Sequence, residues 1–337
     1  MAPRSRATIR DVAVLAGVGT KTVSRVINDE PNVSAAMRER VQRAVTILHF
    51  QPNLGAGTLR RGDRKTYAIG LLLDAVDNPF SAALSRGVET VASPQHFAVL
   101  AASCDNDAGR ERTVIDAFTR RRVDGLILTT VSHDHGYLRD EREQGTPIVF
   151  VDRPPAGLVT DAVLSDHYGA AANATRHLMS HGHTRIAYLG DELTIFTARE
   201  RHRAFAETMA AAGLPSQHRD DLGSESQAYD ATRELLAGVD PPTALFTSQN
   251  VVTIGAVHAL HDLGCQHAVA LVGLDDLPLA DLIDPPITVI AQDPYAIGRL
   301  AARRILARLD GDRFPASATI VPTTLRIRGS GEIEPPA

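Results

Sequence analysis

The chain contains no tryptophan, only two cysteines and 4% aromatic residues in 337, so neither a disulfide framework nor an aromatic-rich binding surface is available to it. Cys104 and Cys265 stand far apart in apolar settings and read as buried free thiols of a reducing cytoplasm. No run approaches the roughly 20 apolar residues that span a bilayer. The first dozen residues, MAPRSRATIRDV, carry cations without an apolar stretch, which argues against export and for a cytoplasmic protein without membrane contact. Catalytic signatures are missing too. There is no GxSxG and no GxxxxGK[ST], and Ser180-His181 are sequence neighbours with no third partner, so an enzyme is not expected. His133-Asp134-His135 and His181-Gly182-His183 do not bring the three or four converging ligands that zinc needs, so neither a metal nor another cofactor is expected.

What is present is unevenly distributed. Formal charge is −5 overall, with 35 Lys/Arg against 40 Asp/Glu, yet residues 1–64 hold 11 cations and 5 anions. The head is therefore +6 and the remainder, 24 against 35, is −11. A basic head on an acidic body suits a partner that is a polyanion.

Within that head, Thr8 to Asn28 reads TIRDVAVLAGVGTKTVSRVIN, two short helices around a glycine-bearing turn. Thr8 with Asp11 forms a capping-box pattern, and Ile9, Val12, Ala13 and Ala16 share one apolar face. The second helix buries Val23, Val26 and Ile27, leaving Thr20, Lys21, Thr22, Ser24 and Arg25 outward, side chains suited to base edges and phosphates. A third helix is predicted over residues 35–49, capped by Ser34 and ended by Pro52. On spacing alone, a helical hairpin in a core explains the first two helices equally well.

The segments DVAVLAGVGTKTVSRVIN, NVSAAMRERV and FQPNLGAGTLR follow one another closely, and in this order they resemble the lactose-repressor (LacI) family of bacterial transcription regulators over nearly the whole chain. The resemblance implies that Thr20, Lys21 and Arg25 read bases and that Ser24 contacts phosphate. Thr8, Asn28 and Asn53 complete the DNA-facing set, and Leu59 takes the place of a hinge leucine that wedges into the minor groove. Gly19 departs from the family's usual serine, and Gly57 from its usual longer side chain. Gly55 and Gly57 make a hinge that folds only on DNA the expected state of residues 52–65.

From Tyr67 onward, the apolar runs YAIGLLL, FAVLAA, GLILTT, PIVFV, RIAYLG, ALFT and AVALVG alternate with helical stretches. That rhythm predicts parallel sheets flanked by helices, in two lobes with a ligand cleft at the carboxyl ends of the strands. The expected organisation is a helix-turn-helix headpiece over 1–51, a hinge over 52–65 and a two-lobed, periplasmic-binding-protein-like body over 66–330. Lobe one takes about 66–165 plus 294–321, and lobe two about 166–293 plus the C-terminal segment, with chain crossings near Ser165, Asp293 and Val321. Phe80, Thr129, Asp152, Arg201, Asn250, Asp275 and Gln292 are the expected cleft residues, with Arg201 matching the family's ligand-gripping arginine. Strand-end capping is the plainer role for Asp152 and Asp275, and core packing for Phe80.

Carboxylates, amides and a guanidinium suit a polyhydroxylated effector. Gln249-Asn250 stands where the family has Asn-Asp, and the lost carboxylate favours a sugar acid or sugar phosphate over a neutral sugar. The resemblance implies a ligand-responsive regulator, a repressor of carbohydrate or sugar-acid genes, on a pseudo-palindromic double-stranded operator. GSGEIEPPA at the end has no leucine heptads, so a homodimer is expected, joined by lobe-one helices such as residues 81–92.

Overall fold

The structure, a computed structural model, describes residues 7–27, 29–51 and 65–336, and the chain divides into two units at Thr66/Tyr67. In the first unit, α1 (Ile9–Ala16), α2 (Thr20–Ile27) and α3 (Ala35–Ile47) enclose Val12, Val23 and Val41, none of which retains any exposure. Both halves of the Thr8/Asp11 capping box form. Gly17 ends α1 in the left-handed region at φ 60°, where a side chain is strained, and Arg40 donates to the carbonyls of Ala16 and Gly17 at 2.5 and 3.0 Å. The third helix stops sooner than predicted. It ends at Ile47, and His49 turns left-handed at φ 47°, so the chain leaves the helix before Pro52 can act.

The second unit begins with β1 (Ala68–Leu73), α4 (Pro79–Ala92), β2 (Ala98–Ser103), α5 (Ala108–Arg120), β3 (Gly125–Leu128), α6 (Arg139–Glu143), β4 (Ile148–Val151) and β5 (Asp161–Ser165). Next come α7 (His167–Ser180), β6 (Ile186–Leu189), α8 (Phe196–Ala211), β7 (Gln217–Arg219), α9 (Glu225–Leu236), β8 (Ala244–Thr247), α10 (Asn250–Asp262), β9 (Ala270–Leu274) and β10 (Thr288–Ala291). The chain closes with α11 (Pro294–Leu309), β11 (Ala318–Val321) and β12 (Thr324–Arg326). One six-stranded sheet has the order β11-β5-β4-β3-β1-β2 and the other β12-β10-β9-β8-β6-β7. All pairings are parallel except β12 with β10.

Seven strands carry apolar runs that the sequence shows. The other five do not stand out there: β5 opens on Asp161, β7 is the polar Gln-His-Arg, β10 is the short Thr-Val-Ile-Ala, and β11 and β12 are short edge strands. Membership of the two sheets changes after Ser165, after Ala291 and after Val321, so the chain passes between lobes three times.

In lobe one, α4 and α11 approach to backbone contact. A Cβ on Gly87 would lie 2.2 Å from the Tyr295 carbonyl oxygen, and one on Gly298 would lie 2.1 Å from that of Leu84. Behind them, Arg308 grips Asp161 at the start of β5 through two hydrogen bonds of 2.8 and 3.1 Å. The variant Gly298→Val should force these helices apart and cost about 1–3 kcal/mol, read as a lower urea midpoint. An unchanged midpoint would mean that the two backbones do not meet as described.

Candidate functional site

Two surfaces concern function, one in each unit. In the headpiece, packing of Val23 and Val26 inward turns the opposite face of α2 outward, and there Thr20, Lys21 and Arg25 are exposed and Ser24 half-exposed. Arg25 lies 3.7 Å from Glu30, a loose surface pair of little energetic weight. The exposed side of α2 therefore presents hydroxyls and cations over two helical turns, with Thr8 exposed at the start of α1. Asn28, Asn53 and Leu59 lie outside the described residues.

In the body, parallel strands send their carboxyl ends to one edge of each sheet, and the residues that follow those ends gather. Asp74 follows β1, Thr129 and Thr130 follow β3, and Asp152 and Arg153 follow β4. From the other lobe, Asp191 follows β6 after Gly190, Ser248 follows β8, Asp275 follows β9 and Gln292 follows β10. Asp152 and Asp275 occupy matching strand ends in the two lobes, and both adopt left-handed backbone, at φ 65° and 72°. Aspartate tolerates that region better than most residues.

Arg201 projects from α8 and is almost wholly buried, at 6% exposure. Its Nη1 donates to the Ser248 carbonyl at 2.8 Å, and its Nη2 lies 3.2 Å from His167 Nδ1. His167 Nε2 lies 3.0 Å from the Asp152 carbonyl oxygen. A guanidinium only donates and a carbonyl only accepts, so the imidazole must be neutral with its proton on Nε2. Burial, and then the charge of Arg201, push the His167 pKa down to about 4. A second bridge joins the lobes at 3.0 Å, where Asn250 donates to the side-chain oxygen of Asn78, the same atom that caps α4. Gln292 donates to Asp275 at 2.6 Å.

Arg153, 7% exposed, donates to the Thr130 carbonyl at 3.1 Å and lies 3.7 Å from the Asp74 carboxylate. Burial raises the carboxyl pKa of Asp74, Asp191 and Asp275 alike. Around this cluster Thr130 Oγ1, Ser248 Oγ, Gln292 Oε1, Arg153 Nε and Arg201 Nε are buried without a hydrogen-bond partner among the described residues. Buried polar atoms are seldom left so, and five around one cleft mark a place made for a polar ligand.

Of the seven expected cleft residues, Asp152, Asp275 and Gln292 stand at strand ends within this cluster and Arg201 reaches it from α8; Thr129 follows β3, Asn250 opens α10, and Phe80, in the first turn of α4, packs half-buried against the lobe-one core. Asp74, Arg153, His167, Asp191 and Ser248 escaped the sequence reading. Three of them directly follow a legible apolar run and Arg153 comes one residue later, so the polar residues after every such run include these four. His167 follows β5, which the sequence hides.

Of the two histidine runs, His135 accepts from the Ala156 amide at 2.8 Å, and His183 bonds Thr243 and the Ile333 carbonyl. Both are structural.

The pKa of His167 has a pH consequence. A folded value of about 4 against 6.5 unfolded lets the unfolded chain take up the proton first, so this contribution to stability is intact above pH 6.5 and is lost toward pH 4. The full loss is about 3 kcal/mol, and His167→Gln should remove that part of the acid sensitivity. The raised Asp74, Asp191 and Asp275 act in the opposite sense, because folded carboxyls that bind protons more readily gain stability on acidification. Comparison of the two proteins by urea unfolding between pH 4 and 7 isolates the histidine, and parallel curves would refute its neutral burial.

Comparison with known proteins finds relatives for both units. Residues 8–53 match the family of bacterial regulatory proteins, lacI family, and residues 175–331 match the periplasmic binding protein-like domain. The chain is 37% identical over 332 residues to the HTH-type transcriptional regulator PtxS of Pseudomonas aeruginosa, covering 97% of this chain and 96% of that one. It is 31% identical to the ribose operon repressor of Escherichia coli, covering 96% of this chain and 99% of the relative. Among solved structures, the complex of the transcriptional regulator CelR with cellobiose superposes with a TM-score of 0.69 at 29% identity, covering 96% of this chain and all of that one, 100%. No helix among the described residues is long and apolar enough to cross a membrane. With a helix-turn-helix head, a two-sheet periplasmic-binding-like body and relatives that are transcriptional regulators along their whole length, the chain belongs to the LacI family and is a ligand-responsive, DNA-binding transcriptional regulator.

Proposed function

We propose that the protein represses genes of carbohydrate or sugar-acid metabolism, as a cytoplasmic homodimer on a pseudo-palindromic operator, and that an effector in the interlobe cleft sets its affinity for DNA. The supporting observation is the cleft itself: guanidiniums, carboxylates, amides and hydroxyls from both lobes converge, five of their buried atoms unpartnered. A polyhydroxylated ligand satisfies such a set with paired hydrogen bonds. The ribose and cellobiose named for the two relatives belong to the same chemical class. Asn250 is an amide 2% exposed, and with Arg153 and Arg201 among the cleft residues a ligand carrying a carboxylate or phosphate is favoured over a neutral sugar. The effector is bound rather than turned over, in keeping with relatives that are transcriptional regulators.

On the DNA side, Thr20, Lys21 and Arg25 read base edges, Ser24 holds phosphate, Thr8 and Asn28 complete the contact of the head, and Asn53 and Leu59 extend it through the hinge. One head reads one half-site, so a palindrome requires two chains. Helices of lobe one such as α4 supply the dimer contact. Whichever arrangement of the lobes the effector prefers, it shifts DNA affinity only by the difference in its affinity for the two arrangements.

Selection of random duplex DNA by the purified protein, with and without a pool of sugars, aldonic acids and sugar phosphates, tests this directly. A palindrome with a pyrimidine-purine centre should be enriched, and the pool should change its recovery. Arg25→Ala should cost about 1–3 kcal/mol at one base position, while a loss spread evenly over all sequences would reduce Arg25 to a phosphate contact. Arg201→Lys keeps the charge but loses the fork, and effector affinity by calorimetry should fall about tenfold to a hundredfold. Equal affinity of an aldonic acid and its parent sugar would overturn the acid preference.

A further inference from the structure

One cluster of ligand-type side chains lies outside the cleft. His202 is the neighbour of Arg201 on α8, and one residue of helix turns it away from the cleft toward the edge of the lobe-two sheet. There its ring meets Tyr188 at 5.3 Å and His218 at 4.8 Å between centroids, both edge-on. His218 belongs to β7, the last strand of that sheet, and Asp220 follows the strand. One ligand atom from each of His202, His218 and Asp220 lies within 4.8 Å of the others. His218 Nε2 stands 3.6 Å from an oxygen of Asp220.

Two atoms of this group are unsatisfied. His202 Nε2 and Asp220 Oδ1 are buried, and neither has a hydrogen-bond partner among the described residues. A neutral imidazole nitrogen and a carboxylate oxygen left bare at one spot are both electron-pair donors, and a cation satisfies the two together. His218 keeps 47% of its side chain exposed, so the spot opens to water on one side.

We propose that His202, His218 and Asp220 form a binding site for a zinc-class divalent cation, with water completing the coordination. Two imidazoles and a carboxylate suit a borderline metal such as Zn²⁺ or Co²⁺ better than Mg²⁺ or Ca²⁺, which prefer oxygen alone. Bonds of 2.0–2.2 Å in a tetrahedron space the ligand atoms by about 3.4 Å, so the three close in through side-chain rotation about an ion. His218 and Asp220 stand two apart at the end of β7, and His202 joins them from α8, on the far side of the turn between the two elements. A bound ion ties the edge strand to the helix that carries Arg201, and so stabilises the lobe-two side of the cleft without touching the effector.

The test uses the full-length protein, stripped with a chelator and titrated with cobalt(II) chloride while visible absorption is followed. One equivalent per chain should bind with a d–d band, and zinc should displace it. His218→Ala changes an exposed side chain and should leave the far-ultraviolet circular dichroism unaltered while weakening cobalt binding about tenfold or more. Asp220→Asn should do the same without removing bulk, and the rise in melting temperature on zinc addition should vanish in both variants. Absence of a cobalt band at millimolar metal would overturn the site. So would a band that survives both substitutions, and its loss in His181→Ala would move the ion to the His177–His181 pair, whose rings are 4.7 Å apart beside Glu332.

Discussion

The guanidinium of Arg201 is a permanent charge placed where water scarcely reaches. Such a charge is costly unless every donor is used, and the second lobe is arranged around meeting that demand. The loop after β8 turns its Ser248 carbonyl toward one nitrogen, and a histidine at the head of α7 offers its bare ring nitrogen to another. That histidine can accept only while neutral, and its remaining proton is committed to the carbonyl of Asp152 in the other lobe. One buried cation therefore fixes a tautomer, a loop and an interlobe contact in succession. The Nε left over is what remains for a ligand.

The headpiece could be read almost completely from its residues. Its signals are local: a capping box, a glycine in left-handed conformation and an apolar stripe at helical spacing each act within one or two turns. The end of α3 was misjudged because proline was credited with a stop that His49 makes earlier through its own backbone angle. In the body, six interior strands and the edge strand β2 show unbroken apolar runs, whereas the edge strands β7, β11 and β12 carry little signal and the buried β5 and β10 are short segments that open on Asp161 and Thr288. The cleft was legible where a polar residue follows such a run, as Asp152 and Asp275 do. His167 was not, because its role depends on Arg201 and Asp152 arriving from elements separated by dozens of residues. The pairing of Asn78 with Asn250 is equally a product of topology, linking positions 172 residues apart.

Charge is segregated as firmly as fold. With Lys65 added to the +6 of residues 1–64, the unit that holds the helix-turn-helix carries +7, which leaves −12 on the unit that holds the cleft. An acidic body repels the DNA backbone, so non-specific attraction is confined to the heads, and salt should act on the head alone. The cleft follows a separate logic, in which acids and guanidiniums are balanced within a few ångströms of one another and address a small ligand.

The three passages between lobes differ in what they allow. Only Pro322 and Thr323 separate β11 from β12, and only Gln292 and Asp293 separate β10 from α11. Only Asp166 separates β5 from α7. Consecutive Cα atoms are about 3.8 Å apart, and the proline between β11 and β12 removes one torsion of that passage. Straps this short cannot lengthen, so the lobes have no freedom to slide or part. What is left to them is rotation about a line through the straps, a single degree of freedom along which any signal from the cleft has to be expressed as an angle.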